Sequence, residues 1–209
     1  DFLYTKQNLS VSEIRTENYL RLDNVEYFVS YLSSDYKSNK GGNSFVYALY
    51  EAQTYDEDAI PAKVIKISKF HESYKNGKIR TKDKNKRFRQ EVAALYDCKR
   101  KHVGNVIDIE SDGNLICCTR KDGDYEVSFP FYVMEYAEFD LKGFLEEENE
   151  AYDEASRVEL CLQIAQGIKE LNDLGYYHRD IKPDNIFMIN GTWKVGDLSL
   201  IHISEPTRP

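Results

Sequence analysis

The apolar residues of this 209-residue chain repeat in one way up to about residue 135 and in another way beyond it. Residues 27–32, 45–52, 60–68, 104–110, 115–120 and 127–136 are short runs rich in aromatic and β-branched side chains. Polar segments break them apart, and Asp112-Gly113 and Asp122-Gly123 supply turn pairs, so each run reads as a strand and residues 27–68 as an antiparallel meander. One amphipathic helix interrupts the series over residues 86–98, where Phe88, Val92 and Leu95 recur at helical spacing. Beyond residues 135–140 the period changes. Leu160, Ile164, Ile168 and Leu171, joined by Val158, Leu162 and Ala165, form a wide apolar stripe over residues 156–174. Ser156-Arg157-Val158-Glu159 has the form of a capping box at its start, and Gly175 supplies a stop. This predicts a largely buried helix, and an α+β chain whose front is β-rich and whose back begins helical.

Composition excludes several classes. Hydrophobic residues make up 41% and charged residues 31%, in the range of soluble globular proteins. No run approaches the roughly 20 apolar residues that a membrane helix needs, so no membrane segment is expected. The net charge of -8 argues against a broad surface for nucleic acid. Cys98, Cys117, Cys118 and Cys161 show no CxxC spacing and read as reduced core thiols, which points to a reducing compartment, taken as the cytoplasm. Between residues 75 and 89 stand eight basic residues against one acid, Asp83, which reads as a solvated loop.

Chemistry concentrates near the end of the chain. His178-Arg179-Asp180-Ile181-Lys182-Pro183-Asp184-Asn185 follows directly on the second helix. Asn190-Gly191 then separates Ile186-Phe187-Met188-Ile189 from Thr192-Trp193-Lys194-Val195, the signature of a two-residue hairpin. With that turn, paired positions sum to 381, which places Asn185 opposite Gly196 and beside Asp197. An amide and a carboxylate then meet at the open end of one hairpin, with Asp180 five residues before Asn185. Such oxygen donors suit a hard cation such as Mg²⁺.

Residues 178–185 resemble the catalytic loop HRDxKPxN of protein kinases, and other stretches in order strengthen the likeness. Lys194-Val195-Gly196-Asp197 resembles the strand into the metal-binding Asp-Phe-Gly, although here the triplet reads Asp197-Leu198-Ser199. Lys40-Gly41-Gly42-Asn43-Ser44-Phe45-Val46 resembles the glycine-rich loop over the phosphates of ATP; Asn39 and Ser44 stand in place of the first and third glycines. Val64-Ile65-Lys66 resembles the strand carrying the phosphate-binding lysine. Lys63 is the rival; it would put Pro61 two residues earlier on its strand face, where Lys66 has Val64, so Lys66 is preferred. Glu91 matches the glutamate that pairs with that lysine, and residues 131–137 resemble the fifth strand and hinge.

The resemblance spans about residues 27–199 and implies a eukaryotic-like (Hanks-type) serine/threonine kinase of bilobal α+β fold. The N-lobe would be residues 27–135 and an incomplete helical C-lobe residues 136–199, behind an extension over 1–26 of unread role. Residues 200–209 resemble translated vector sequence and are expected to be non-native, the chain being a fragment inactive as it stands. By the same resemblance Asp180 would orient the acceptor hydroxyl, and Lys182 would neutralise the γ-phosphate. Lys66, fixed by Glu91, would hold the α- and β-phosphates, and Asn185 and Asp197 would hold Mg²⁺. Gly41, Gly42, Ser44, Val46, Val64, Met134, Glu135 and Ala137 would contact ATP, the backbones of the last two bonding the adenine. His178 reads as support for the loop rather than as a base. The partner would be a protein bearing a serine or threonine acceptor. Two alternatives stay open: a pseudokinase or nucleotide-binding scaffold, and a small-molecule kinase of the same fold.

Overall fold

The computed structural model describes residues 19–22, 25–31, 44–56, 59–70, 72–75, 78–79, 85–110, 116–122, 125–147, 152–198 and 202–203. The chain divides into two compact units, residues 1–86 with 114–136 and residues 87–113 with 137–209.

The first unit is an antiparallel sheet. Its strands are β1 (Tyr19–Leu22), β2 (Val25–Tyr31), β3 (Ser44–Glu51), β4 (Lys63–Ser68), β5 (Glu72–Lys75), β6 (Lys78–Ile79), β7 (Ile116–Asp122) and β8 (Tyr125–Glu135). β1 to β4 run as consecutive neighbours, which bears out the meander. The long β8 pairs β4 with its second half, β5 with its first, and β7 along its other edge. Alternation sorts the side chains onto two faces. Tyr27, Leu49, Ile65, Ile67, Phe131 and Val133 make the core of one face, with Val29 and Tyr47 packed on it. Each such side chain contributes about 2 kcal/mol on leaving water. The other face carries Val46, Ala48, Val64, Lys66, Tyr132 and Met134, since Val46 is opposite Lys66, Ala48 opposite Val64, and those two in turn oppose Tyr132 and Met134. Part of the basic stretch read as a loop is the β5–β6 pair, where Tyr74 opposes Ile79. Its strands are short and polar, with no alternation to betray them.

The second unit is built on helices α1 (Lys86–Arg100, within this unit from Arg87 onward), α2 (Leu141–Glu147) and α3 (Glu154–Asp173), with β9 (Phe139–Asp140), β10 (Tyr176–Tyr177), β11 (Ile186–Ile189), β12 (Thr192–Val195) and β13 (His202–Ile203). Residues 104–110 are not the strand their apolar run suggests. Val106 makes one parallel bridge to Val195, Val195 N–H donates to Asn105 O (2.9 Å) and Ile107 N–H to Val195 O (3.0 Å). The run is apolar because Val106, Ile107 and Ile109 are buried, not because it alternates.

Helix α3 begins two residues before the expected box. Asp153 is its cap, its carboxylate accepting the Ser156 backbone N–H at 2.8 Å, so Ser156 sits inside the first turn. Its end is as expected: Gly175 takes φ +82°, and its N–H donates to Asn172 O at 2.9 Å. The helix is less buried than its stripe implies. Leu160 and Leu171 are buried, whereas Val158 is 54% and Leu162 59% exposed. Cys161 is exposed too, unlike the buried Cys98, and both are free thiols.

Candidate active site

The hairpin after the second helix has the expected register. Ile186 opposes Val195, Phe187 Lys194, Met188 Trp193 and Ile189 Thr192. Asn190 and Gly191 take φ +50° and +75°, the left-handed pair that a two-residue turn between twisted strands requires. One step further, Gly196 N–H donates to Asn185 O at 3.0 Å, so Asn185 stands opposite Gly196 and one residue from Asp197. Gly196 also has no room for a side chain. A Cβ there would lie 2.2 Å from Ile107 Cδ1 and 2.9 Å from Phe187 Cε2.

Residues 178–185 form a tight local network. Asn185 Nδ2 donates to the Asp180 carbonyl (2.8 Å) and to its carboxylate Oδ2 (3.2 Å). Lys182 Nζ lies 2.8 Å from the same Oδ2. That ammonium holds the Asp180 carboxyl below the usual aspartate range, against a smaller opposing push from desolvation, and the Lys182 ammonium is raised in return. His178 is buried. Its Nε2 reaches Gly196 O at 2.7 Å while its Nδ1 accepts the Asp180 backbone N–H at 3.3 Å. The Nε2–H tautomer satisfies both bonds. Arg179 and Asp197 adopt φ +64° and +51°, backbone strain of the kind that tertiary contacts must sustain.

The donor set suits a hard cation. With the Asn185 amide nitrogen committed to Asp180, its oxygen is the atom left for a metal, and Asp197 adds a carboxylate. Among the described residues no group of three or more His, Cys, Asp or Glu could hold a metal alone. An amide and a carboxylate completed by phosphate oxygens and water is how Mg²⁺ is commonly held beside nucleotides.

In the first unit Lys66 is 6% exposed, on the face shared with Val46, Val64 and Met134, its Nζ 5.9 Å from the centroid of the Tyr132 ring. Lys63 lies on the opposite face, its Nζ 5.8 Å from the Tyr27 ring centroid. Ser44 opens β3, opposite Ser68. Glu135 ends β8 on the face of Lys63, which it opposes. In the second unit Glu91 is 0% exposed on α1, and Ala137 is half-buried just before β9. Asn39, Gly41, Gly42 and Ser199 lie outside the described residues.

Two long-range contacts escape the sequence reading. Gly196 is crowded by Ile107, 89 positions earlier, and no local pattern announces that. Tyr176, whose hydroxyl donates to Asp97 Oδ2 at 2.6 Å, reads from sequence as one more apolar residue ahead of the loop.

A model of the protein kinase domain matches residues 39–208. Among curated proteins the chain is similar to "Cyclin-dependent kinase G1" of Arabidopsis thaliana, 27% identical over 83% of this chain and 26% of that protein. It is also similar to "Probable cyclin-dependent kinase 8" of Dictyostelium discoideum, 28% identical over 57% of this chain and 31% of that protein. A third relative is "Cyclin-dependent kinase G-1" of Oryza sativa subsp. indica, 41% identical over 38% of this chain and 12% of that protein. The matched stretches thus span less than a third of each of these relatives.

Proposed function

The chain belongs to the protein kinase family, and from that premise we propose that a protein containing it transfers the γ-phosphate of ATP to serine or threonine hydroxyls of a protein substrate. The observation that carries the reading is the hairpin register, which sets Asn185 opposite Gly196 and one residue from Asp197, with Asp180 bonded to the same amide.

Mg²⁺, held by Asn185 and Asp197, would neutralise charge on the phosphate oxygens. Phosphoryl transfer asks the protein for placement and electrostatics more than for covalent chemistry. Asp180, kept ionised by Lys182, would orient the acceptor hydroxyl and take its proton at the carboxylate. Lys182 would face the γ-phosphate, and its identity favours serine or threonine acceptors. Lys66 would clamp the α- and β-phosphates, with Glu91 fixing it. Val46, Val64 and Met134 would line the base, the backbones of Glu135 and Ala137 would bond its edge, and Gly41, Gly42 and Ser44 would cover the phosphates. No helix among the described residues is long and apolar enough to cross a membrane. The cytoplasm is the proposed compartment, supported by the free thiols of Cys98 and Cys161.

The test is nucleotide binding with and without Mg²⁺, followed by phosphate transfer to a generic serine/threonine protein. Asp180→Asn is expected to leave nucleotide affinity unchanged and to lower transfer about 10²–10⁴-fold. Nucleotide binding indifferent to Mg²⁺, with no transfer, would favour a binding scaffold instead. Wild-type turnover in Asp180→Asn would remove that aspartate from its role.

A further inference from the structure

Two routes lead from the C-terminal half of helix α1 to the catalytic segments of the second unit. The first passes through the segment that follows the helix. Val103 N–H donates to Cys98 O (3.1 Å), Lys99 Nζ to the Ile109 carbonyl, and residues 105–107 bond to β12, which continues into Gly196 and Asp197. The second passes through one side-chain hydrogen bond: the Tyr176 hydroxyl donates to Asp97 Oδ2 at 2.6 Å, two residues ahead of His178. The routes meet where His178 Nε2 bonds Gly196 O, and the same imidazole accepts the Asp180 N–H. The result is a closed ring from α1 through β12 and Gly196 to His178 and back through Tyr176.

The phenol is not needed to fill space. Tyr176 is 6% exposed, and a phenylalanine would occupy nearly the same volume. A hydroxyl at that depth costs stability unless bonded, and the bond to Asp97 offsets that cost. The surroundings keep it a donor. Burial foremost, then the bond to Asp97, pushes the phenol well above the usual tyrosine range, and burial together with Asp97 and Glu170 pushes the neighbouring Cys98 thiol up to about 12.

We infer that Tyr176 is a positioning residue for phosphoryl transfer, its bond to Asp97 fixing β10 and thereby the imidazole that holds Asp180 to Gly196, a role that rests on the kinase reading of the same site. Tyr176 touches no substrate; it acts through His178.

The experiment compares the whole chain with its Tyr176→Phe, Asp97→Asn and Tyr176→Phe/Asp97→Leu variants. The first readout needs no activity: hydrogen exchange of the Asp180 amide against the amides of β11 and β12. In Tyr176→Phe the Asp180 amide is expected to exchange about tenfold faster, the scale of one lost charge-assisted bond, with hairpin amides unchanged. Asp97→Asn keeps an acceptor oxygen and should stay near wild type. The double variant, which removes both partners of this part-buried bond, should regain part of the lost thermal stability yet keep the fast Asp180 exchange. The second readout is kinetic. kcat should fall by about the same tenfold factor in Tyr176→Phe and in the double variant, with the KM for ATP unchanged. Unchanged Asp180 exchange in Tyr176→Phe overturns the inference. So does a double variant whose Asp180 exchange and kcat return together with its stability, since that is what packing alone would give. If Tyr176→Phe does not fold, the double variant carries the same comparison against Asp97→Asn. The expected exchange pattern in a chain that transfers no phosphate supports the linkage and counts against the kinase reading alone.

Discussion

Gly167 sits inside a 20-residue helix, where glycine ordinarily costs about 1 kcal/mol relative to alanine. The crowding around it reverses that rule. A Cβ at this position would lie 2.3 Å from the Asn105 carbonyl oxygen and 3.0 Å from Val195 Cγ2. Gly167→Ala is therefore expected to destabilise the fold by about 1–3 kcal/mol, read as a lower urea midpoint, where propensity alone forecasts a gain. Asp180 supplies a prediction about acid. Its folded-state pKa lies below the ordinary value near 3.8, chiefly because Lys182 bonds it, so the carboxylate survives as pH falls to that depressed value. Lys182→Met removes the cause, and the acid limb of the kcat profile should move to higher pH. An acid limb unmoved by the substitution would assign it to another group.

At the scale of elements, the cap of α3 offers a second pH test. The backbone N–H of Ser156 is the main cause that lowers the Asp153 carboxyl below 3.8. A depressed carboxyl contributes stability above its unfolded value and loses it as pH falls through the folded one. Asp153→Ala should thus lower Tm at pH 7, and the gap from wild type should narrow as pH falls below 3.8 through the depressed folded value. The same helix shows what sequence can and cannot disclose. Ser156 opens a capping box by type, but Asp153, three residues earlier, is as good an N-cap residue, and only the folded first turn decides between them. The Asn190-Gly191 hairpin was fully legible because a two-residue turn leaves a single register, and that register alone located Asn185 against Gly196. β1, β5 and β6 were not, since each is a short segment that becomes a strand only beside a neighbour already in place. Residues 104–110 misled for the opposite reason: their apolar side chains are buried by β12 contacts made far along the chain. Tyr176 and Gly196 were hidden likewise, their meaning residing in partners 79 and 89 residues away.

At the scale of the second unit, several large apolar side chains face solvent. Val158 and Leu162 of α3 are exposed, as are Tyr177 and Ile181, which line, with Ile168, Asn172, His178 and Arg179, a cavity of about 420 Å³. Apolar exposure of this kind promotes self-association. Leu162→Glu should raise the concentration at which light scattering begins, with thermal stability changed by no more than about 0.5 kcal/mol, as for an exposed helix position. Equal scattering in both proteins would place the sticky surface elsewhere. The division of the chain also has a consequence for its birth on the ribosome. The second unit is interrupted, residues 87–113 being made before a stretch of the first unit and residues 137–209 after it. Asn105, Val106 and Ile107 find their partners only once Trp193 and Val195 have been synthesised. At about 5–20 residues per second that is a wait of roughly 4 to 18 seconds. For that interval Val106 and Ile107 are greasy residues of a nascent chain still without their β12 partners, which is the window in which a chaperone would be recruited and in which slower translation would cost yield.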